Sequence, residues 1–128
     1  MARWVIDSSV LIDHLRGDPR ATRMLVAAVR QEHELWSATV VRTEILAGMR
    51  STEEASTHLL LAQLRWQDLT VEIADQAGAM AQRYLRSHRG VDTVEYVIAA
   101  TTMSLGAELK TLNVKHFPMF AGLRRAYA

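Results

Sequence analysis

Asp7 closes the apolar run Trp4-Val5-Ile6, Glu44 lies inside the apolar stretch from Val40 to Leu46, and Asp92 and Glu95 precede another apolar stretch. Thr111 and Asn113 end the last such run. Carboxylates brought into one cleft from distant parts of a chain repel each other unless a cation lies between them. Oxygen ligands, with no Cys and no paired His, suit Mg²⁺ or Mn²⁺. Ions held through a few carboxylates and several waters typically serve phosphate chemistry. Each acid also has a plainer use. Asp92 and Glu95 have the spacing of a capping box, in which each side chain accepts from the other's backbone N–H. Asp7 has the position of a helix cap. Glu44 fits an outer helix face as well as an inner one. The residues by themselves therefore leave an acidic metal site and a set of helix-terminal acids both open.

The elements that would position these residues alternate along the chain. Arg3-Trp4-Val5-Ile6 reads as a buried strand. A helix capped by Ser8 or Ser9 follows, packing through Val10, Leu11, Ile12 and Leu15. Gly17 stops it, and Asp18-Pro19 starts a helix to about Arg30, with Met24, Leu25, Ala28 and Val29 inward. Glu34-Leu35-Trp36-Ser37 is a second strand, and a helix runs from about Thr39 to Gly48. Ser51 and Glu54 have capping-box spacing and open a helix to about Leu64. Residues 65–70 form a third strand with Trp66 and Leu69 inside. Thr70 caps a long helix to about Ser87, whose inner stripe is Ala74, Ala77, Gly78, Ala81, Tyr84 and Leu85. A further helix spans Asp92 to Leu105, with Val94, Val97, Ile98, Thr101 and Leu105 on one face, and Gly106 closes it. Glu108 to Leu112 is a strand, and Leu123 to Tyr127 is expected as a last edge strand. Such alternation predicts a parallel sheet wrapped by helices, with ligands bound beyond the carboxyl ends of its strands.

Composition narrows the classes of function. The chain has 128 residues, 49% of them apolar, which suits one domain able to bury roughly two-thirds of its unfolded surface. With no Cys there is no disulfide framework, thiolate metal site or thiol nucleophile, and a reducing compartment fits. No apolar run approaches the ~20 residues of a membrane span, and the amino terminus shows no secretory signal. A soluble cytoplasmic protein is expected. The net charge of +1 does not mark a nucleic-acid binder, although 13 of the 15 basic residues are Arg. None of the six Gly builds a phosphate-binding loop, and Asp7-Ser8-Ser9 lacks the second Asp of aspartyl-phosphate enzymes.

Four segments together resemble PIN-domain nucleases. They are Val5-Ile6-Asp7-Ser8-Ser9, the Glu44-Ile45-Leu46-Ala47-Gly48 stretch, Glu95-Tyr96-Val97-Ile98-Ala99-Ala100-Thr101, and Leu109-Lys110-Thr111-Leu112-Asn113-Val114-Lys115-His116-Phe117. Their order and spacing are those of the VapC branch, the toxins of VapBC toxin–antitoxin pairs. The resemblance covers essentially the whole chain. It implies a single PIN domain over residues 1–128, of the α/β class: a PIN-like three-layer α/β/α sandwich around a central, mostly parallel sheet of four to five strands. It also implies an Mg²⁺-dependent endoribonuclease, with Mn²⁺ as a substitute, an RNA substrate, a small VapB-type antitoxin and a homodimer.

Carried over by position, Asp7, Glu44 and Glu95 form the acidic catalytic core. Asn113 stands where a fourth acid or polar substitute is usual. Two departures matter: the third acid is usually Asp, and Asn113 is neutral. Asp92, one turn before Glu95, is a further candidate ligand and catalytic residue. Ser8, Ser9 and Thr111 are expected to tune the carboxylates through hydrogen bonds. The departures keep a catalytically weak RNA-binding module open, beside a nuclease of RNA maturation or of DNA.

Arg83, Arg86, His88 and Arg89 make a basic end to the long helix, able to grip RNA phosphates or to complement the helix dipole. Arg124 and Arg125 have the same two uses. Trp4, Trp36 and Trp66 are expected in the core. His116 is expected to be a surface or hydrogen-bonding residue. Leu59, Leu60, Leu61 and Leu64 are candidates for a groove that takes an antitoxin helix or a second subunit, or for the core.

Overall fold

The computed structural model describes residues 1–128. Four strands, β1 (Arg3–Ile6), β2 (Glu34–Ala38), β3 (Arg65–Gln67) and β4 (Glu108–Lys110), form one all-parallel sheet in the order β3-β2-β1-β4. Six helices flank it: α1 (Ser8–Leu15), α2 (Pro19–Arg30), α3 (Thr39–Ala47), α4 (Glu54–Gln63), α5 (Val71–Tyr84) and α6 (Thr93–Ser104). Short 3₁₀ turns cover Ser51–Glu53 and Val114–His116. Successive strand residues point to opposite faces. Val5 and Ile6 are both wholly buried, so both faces of β1 are covered. This is the α/β architecture expected, with four strands.

Local chemistry sets several boundaries. Asp18 accepts from the Arg20 N–H at 2.9 Å ahead of Pro19, and Thr70 Oγ1 accepts from the Ile73 N–H at 3.2 Å, so α2 and α5 start where the sequence places them. Gly106 ends α6 with φ +60°, a backbone state that L side chains disfavour. The start of α1 differs from expectation. Asp7, not Ser8 or Ser9, holds the cap position, and its carboxylate does not cap the helix. The box expected at Ser51 and Glu54 is replaced by a one-sided bond a residue earlier, since an Arg side chain cannot accept. Glu53 accepts from the Arg50 N–H at 2.9 Å and also pairs with Arg16.

Packing corrects other expectations. Helix α5 keeps part of its expected stripe, with Ala77 buried and Ala81 and Tyr84 half-buried, but Ile73 is buried in place of Ala74, and Ala74, Gly78 and Leu85 are exposed. The small residues had suggested a close-packed stripe, but Ile73 and Val91 fill a cluster with Tyr96 and Val97 and set the rotation. Val29 and Leu69 are exposed as well. Helix α6 is buried on all sides from Tyr96 to Thr102, not along one face. It packs against α5 and against β1, β2 and β4. The hydroxyls of Thr101 and Thr102 survive there because each donates to a carbonyl one turn back, at 2.8 Å. The three Trp are half-buried at the core margin. Lys110 Nζ lies 4.3 Å from the Trp4 ring centroid, and Arg3, Arg65 and Arg42 flank the other two rings.

Residues 123–127 are not a strand. A single backbone bond, from Ala126 N to Thr111 O at 2.9 Å, brings the tail beside β4, and side chains then fasten it. Tyr127 donates to Asp13 Oδ2 at 2.6 Å, and the Arg20 guanidinium lies over the Tyr127 ring. Burial first, then the bond to Asp13, raises the Tyr127 hydroxyl above its ordinary pKa. Removing the hydroxyl leaves Asp13 without this donor. Tyr127→Phe should therefore cost about 1–2 kcal/mol, in the range for a hydrogen bond to a charged group at a half-buried place. An unchanged urea midpoint would show that the tail contributes nothing.

Candidate active site

The chain leaves β1 toward β2 and β3, then crosses back to lay β4 on the other side of β1. In open parallel sheets the crevice at such a reversal, beyond the carboxyl ends of the strands, is the natural place for a ligand. Asp7 follows β1 and Thr111 follows β4. The Asp7 N–H donates to Lys110 O at 2.9 Å and ties the two exits together.

Asp7 is 4% exposed. Its Oδ2 accepts from Thr111 Oγ1 at 2.7 Å and from Ser9 Oγ at 3.0 Å. Each hydroxyl is itself oriented by a backbone donor: Asn113 N–H to Thr111 Oγ1 at 3.0 Å, and Leu112 N–H to Ser9 Oγ at 3.1 Å. The segment after β4 thus fixes the carboxylate rotamer and leaves Oδ1 outside this pair of bonds.

Glu44 projects from α3, and Asp92 and Glu95 stand at the start of α6. Glu44 as a residue is exposed, yet its carboxyl is held above the usual carboxylate range. Partial burial of the carboxyl is the first cause. The negative charges of Asp7, Asp92 and Glu95 follow, and a hydrogen bond with Ser8 works the other way. The charges of three acids from elsewhere in the chain therefore reach Glu44. Asp92 and Glu95 also form the capping box: Glu95 N–H to Asp92 Oδ1 at 3.0 Å, and Asp92 N–H to Glu95 Oε1 at 3.2 Å. The other Glu95 oxygen pairs with His116 Nδ1 at 2.5 Å. The Glu95 carboxyl is also raised, by burial first; the Asp92 N–H and the charge of His116 offset part of this.

Asn113 is exposed at the head of the Val114–His116 turn, its side chain making no cap bond. Arg83, Arg86 and Arg89 are exposed and make no ion pair with a carboxylate. Because α5 ends at Tyr84, Arg86 and Arg89 lie on the segment that runs through Gly90 and Val91 to Asp92. Leu60, Leu61 and Leu64 belong to the core, whereas Leu59 is exposed. The pairing of His116 with Glu95 was missed in the sequence. It depends on a turn after β4 meeting the start of α6, and its only local sign is a His three residues beyond Asn113.

The largest concavity, about 870 Å³, lies at the opposite end of the sheet, where Arg3 and Arg65 both pair with Glu34. Of the acids, Glu44 and Asp92 are exposed, Glu95 is half-buried and Asp7 is buried. No three Asp, Glu, His or Cys side chains converge tightly enough to cage a metal with protein ligands alone. Mg²⁺ does not require that, since it usually keeps several waters and takes one or two carboxylates.

The sequence matches the model of the PIN domain family over residues 4–117. It is 42% identical over 123 residues to ribonuclease VapC19 of Mycobacterium tuberculosis, covering 96% of this chain and 98% of that one. It is 44% identical over 124 residues to ribonuclease VapC10 of the same organism, covering 97% and 92%. A toxin–antitoxin complex from Klebsiella pneumoniae has the same fold, with TM-score 0.78 at 23% identity, covering 99% of this chain and 98% of that one.

Proposed function

The chain belongs to the PIN-domain family, among the VapC ribonucleases, and from that premise we propose that it is a metal-dependent endoribonuclease, the toxin of a toxin–antitoxin pair. The observation that carries this is the placing of Asp7 at the β1 exit beside Thr111, with Glu44 near enough to feel the charges of Asp7, Asp92 and Glu95. Such a cluster is relieved by a divalent cation. The donors are all oxygen, which fits Mg²⁺, or Mn²⁺ in its place. Asp7, Glu44 and Glu95 would hold it, one or two directly and the rest through bound water, and Asp92 and Asn113 are the further candidate ligands. When bound, the ion supplies a water acidified toward neutral pH and offsets negative charge on the phosphate. Asp7 acts as the fixed reference, because Ser9 and Thr111 hold its rotamer. Glu44, from α3, and Glu95, from α6, would orient bound water and phosphate. Arg83, Arg86 and Arg89 draw the RNA backbone toward the acids.

The domain is taken as residues 1–128. No helix is long and apolar enough to cross a membrane. We place the protein in the cytoplasm, where RNA is available, and expect a homodimer. For the antitoxin, helices α1, α2 and α4 offer a groove lined by the exposed Val26, Val29 and Leu59 together with the edges of the core residues Leu25, Leu60 and Leu64. An amphipathic helix would lay its apolar face there.

The test uses the purified chain with Mg²⁺ and end-labelled RNA and DNA of one sequence. Internal cuts in RNA alone are expected, suppressed by the cognate antitoxin. Binding without scission would favour the weak binding module, and cuts in DNA would favour a DNA nuclease.

A further inference from the structure

We propose that His116 is a positioning residue that latches Glu95 in the orientation needed to hold a divalent cation. The proposal rests on the reading of Glu95 as a metal ligand. Glu has one more rotatable bond than Asp, and an unheld carboxylate would sample several rotamers, at an entropic cost to every binding event. Here both oxygens are fixed. Oε1 accepts from the Asp92 N–H at 3.2 Å, and Oε2 meets His116 Nδ1 at 2.5 Å. Each carboxylate oxygen has a second lone pair, so the latch leaves coordinating capacity on Glu95.

The latch is well anchored. The His116 N–H donates to Asn113 O at 2.9 Å, and the adjacent Phe117 is 1% exposed, so core packing holds the turn in place. The same stretch carries Thr111, which orients Asp7. One short segment after β4 therefore sets two acids that arrive from different elements, Asp7 after β1 and Glu95 on α6. Partners of this kind commonly set the affinity of a metal ligand without touching the metal.

The experiment compares His116→Ala, His116→Asn, Glu95→Gln and the His116→Ala/Glu95→Gln double variant. Mn²⁺ binding to each is measured by titration calorimetry without RNA, with melting temperature, kcat and KM alongside. Removing an outer partner should weaken Mn²⁺ binding by about tenfold. The RNA KM and the melting temperature should change little. Asn can present an N–H close to the Nδ1 position and should recover most of the loss. In the Glu95→Gln background, His116→Ala should add nothing. Wild-type Mn²⁺ affinity in His116→Ala, or a raised RNA KM with unchanged Mn²⁺ affinity, would overturn the latch. So would a lowered melting temperature with no rescue by Asn. If Glu95→Gln itself leaves Mn²⁺ binding unchanged, it is the underlying assignment of Glu95 as a ligand that fails.

Discussion

Asp7→Asn and Glu44→Gln should each lower RNA cleavage at saturating Mg²⁺ by about a thousandfold or more, while leaving the protein folded. The estimate follows from the several kcal/mol that a metal ion supplies to phosphoryl transition states, since about 4 kcal/mol corresponds to a thousandfold in rate. Asn at position 7 keeps an oxygen that can accept from the Thr111 and Ser9 hydroxyls, which now reach Asp7 Oδ2 at 2.7 and 3.0 Å. Only the charge is lost, and volume hardly changes. Glu44 is exposed as a residue, so Gln at that position disturbs little packing. The Glu44 carboxyl is raised by burial first and by its acidic neighbours second, so removing either charge should not cost stability. The wild-type protein should be silent in EDTA, and Ca²⁺ should bind but support little turnover, because its looser coordination activates water less well. Wild-type turnover in either variant at saturating Mg²⁺ would remove that residue from the metal site. Robust cleavage in EDTA would overturn the mechanism altogether.

The places of those two acids in the fold were legible in the sequence because each follows a pattern that local physics controls, whereas their reading as a metal site came from the resemblance. A short apolar β-prone run ending in Asp puts Asp7 at a strand exit, and a helical run of Val and Ile around Glu44 places it one turn into α3. Caps at Asp18, Thr70 and Asp92 were equally local, since each needs only a side chain within three residues of its donor. Features that depend on meeting a distant element were not legible. The phase of α5 is set by Ile73 packing with Val91, Tyr96 and Val97, and a stripe of Ala and Gly gives no sign of that. Burial of α6 on all sides follows from its place between α5 and the sheet, and its sequence shows only that it is apolar. Tail residues 123–127 have strand-like composition, yet Tyr127 finds Asp13 instead of a strand partner. The pairing of His116 with Glu95 joins the turn after β4 to a helix that precedes β4, and no spacing rule reports it.

The start of α6 carries two candidate acids one turn apart, and there two substitutions should separate cleanly. Glu95→Gln should be nearly inactive with near-normal stability, whereas Asp92→Asn should be near-normal in both. Asp92 Oδ1 accepts from the Glu95 N–H at 3.0 Å, and Asn can make the same bond, so the cap survives; losing a cap outright costs only about 1 kcal/mol. Glu95 carries the longer arm, is less exposed than Asp92, and is held from both sides by the Asp92 N–H and His116. Gln at position 95 keeps an oxygen for the Asp92 N–H but loses the charge that a cation needs. Turnover at saturating Mg²⁺ and melting temperature decide between the two acids. An inactive Asp92→Asn beside an active Glu95→Gln would reverse their roles, with Asp92 the ligand and Glu95 and His116 a pair that only fastens α6 to the turn after β4. Two inactive variants with normal melting temperatures would mean that the cation takes an oxygen from each, and that the capping box is part of the metal site as well as of the helix.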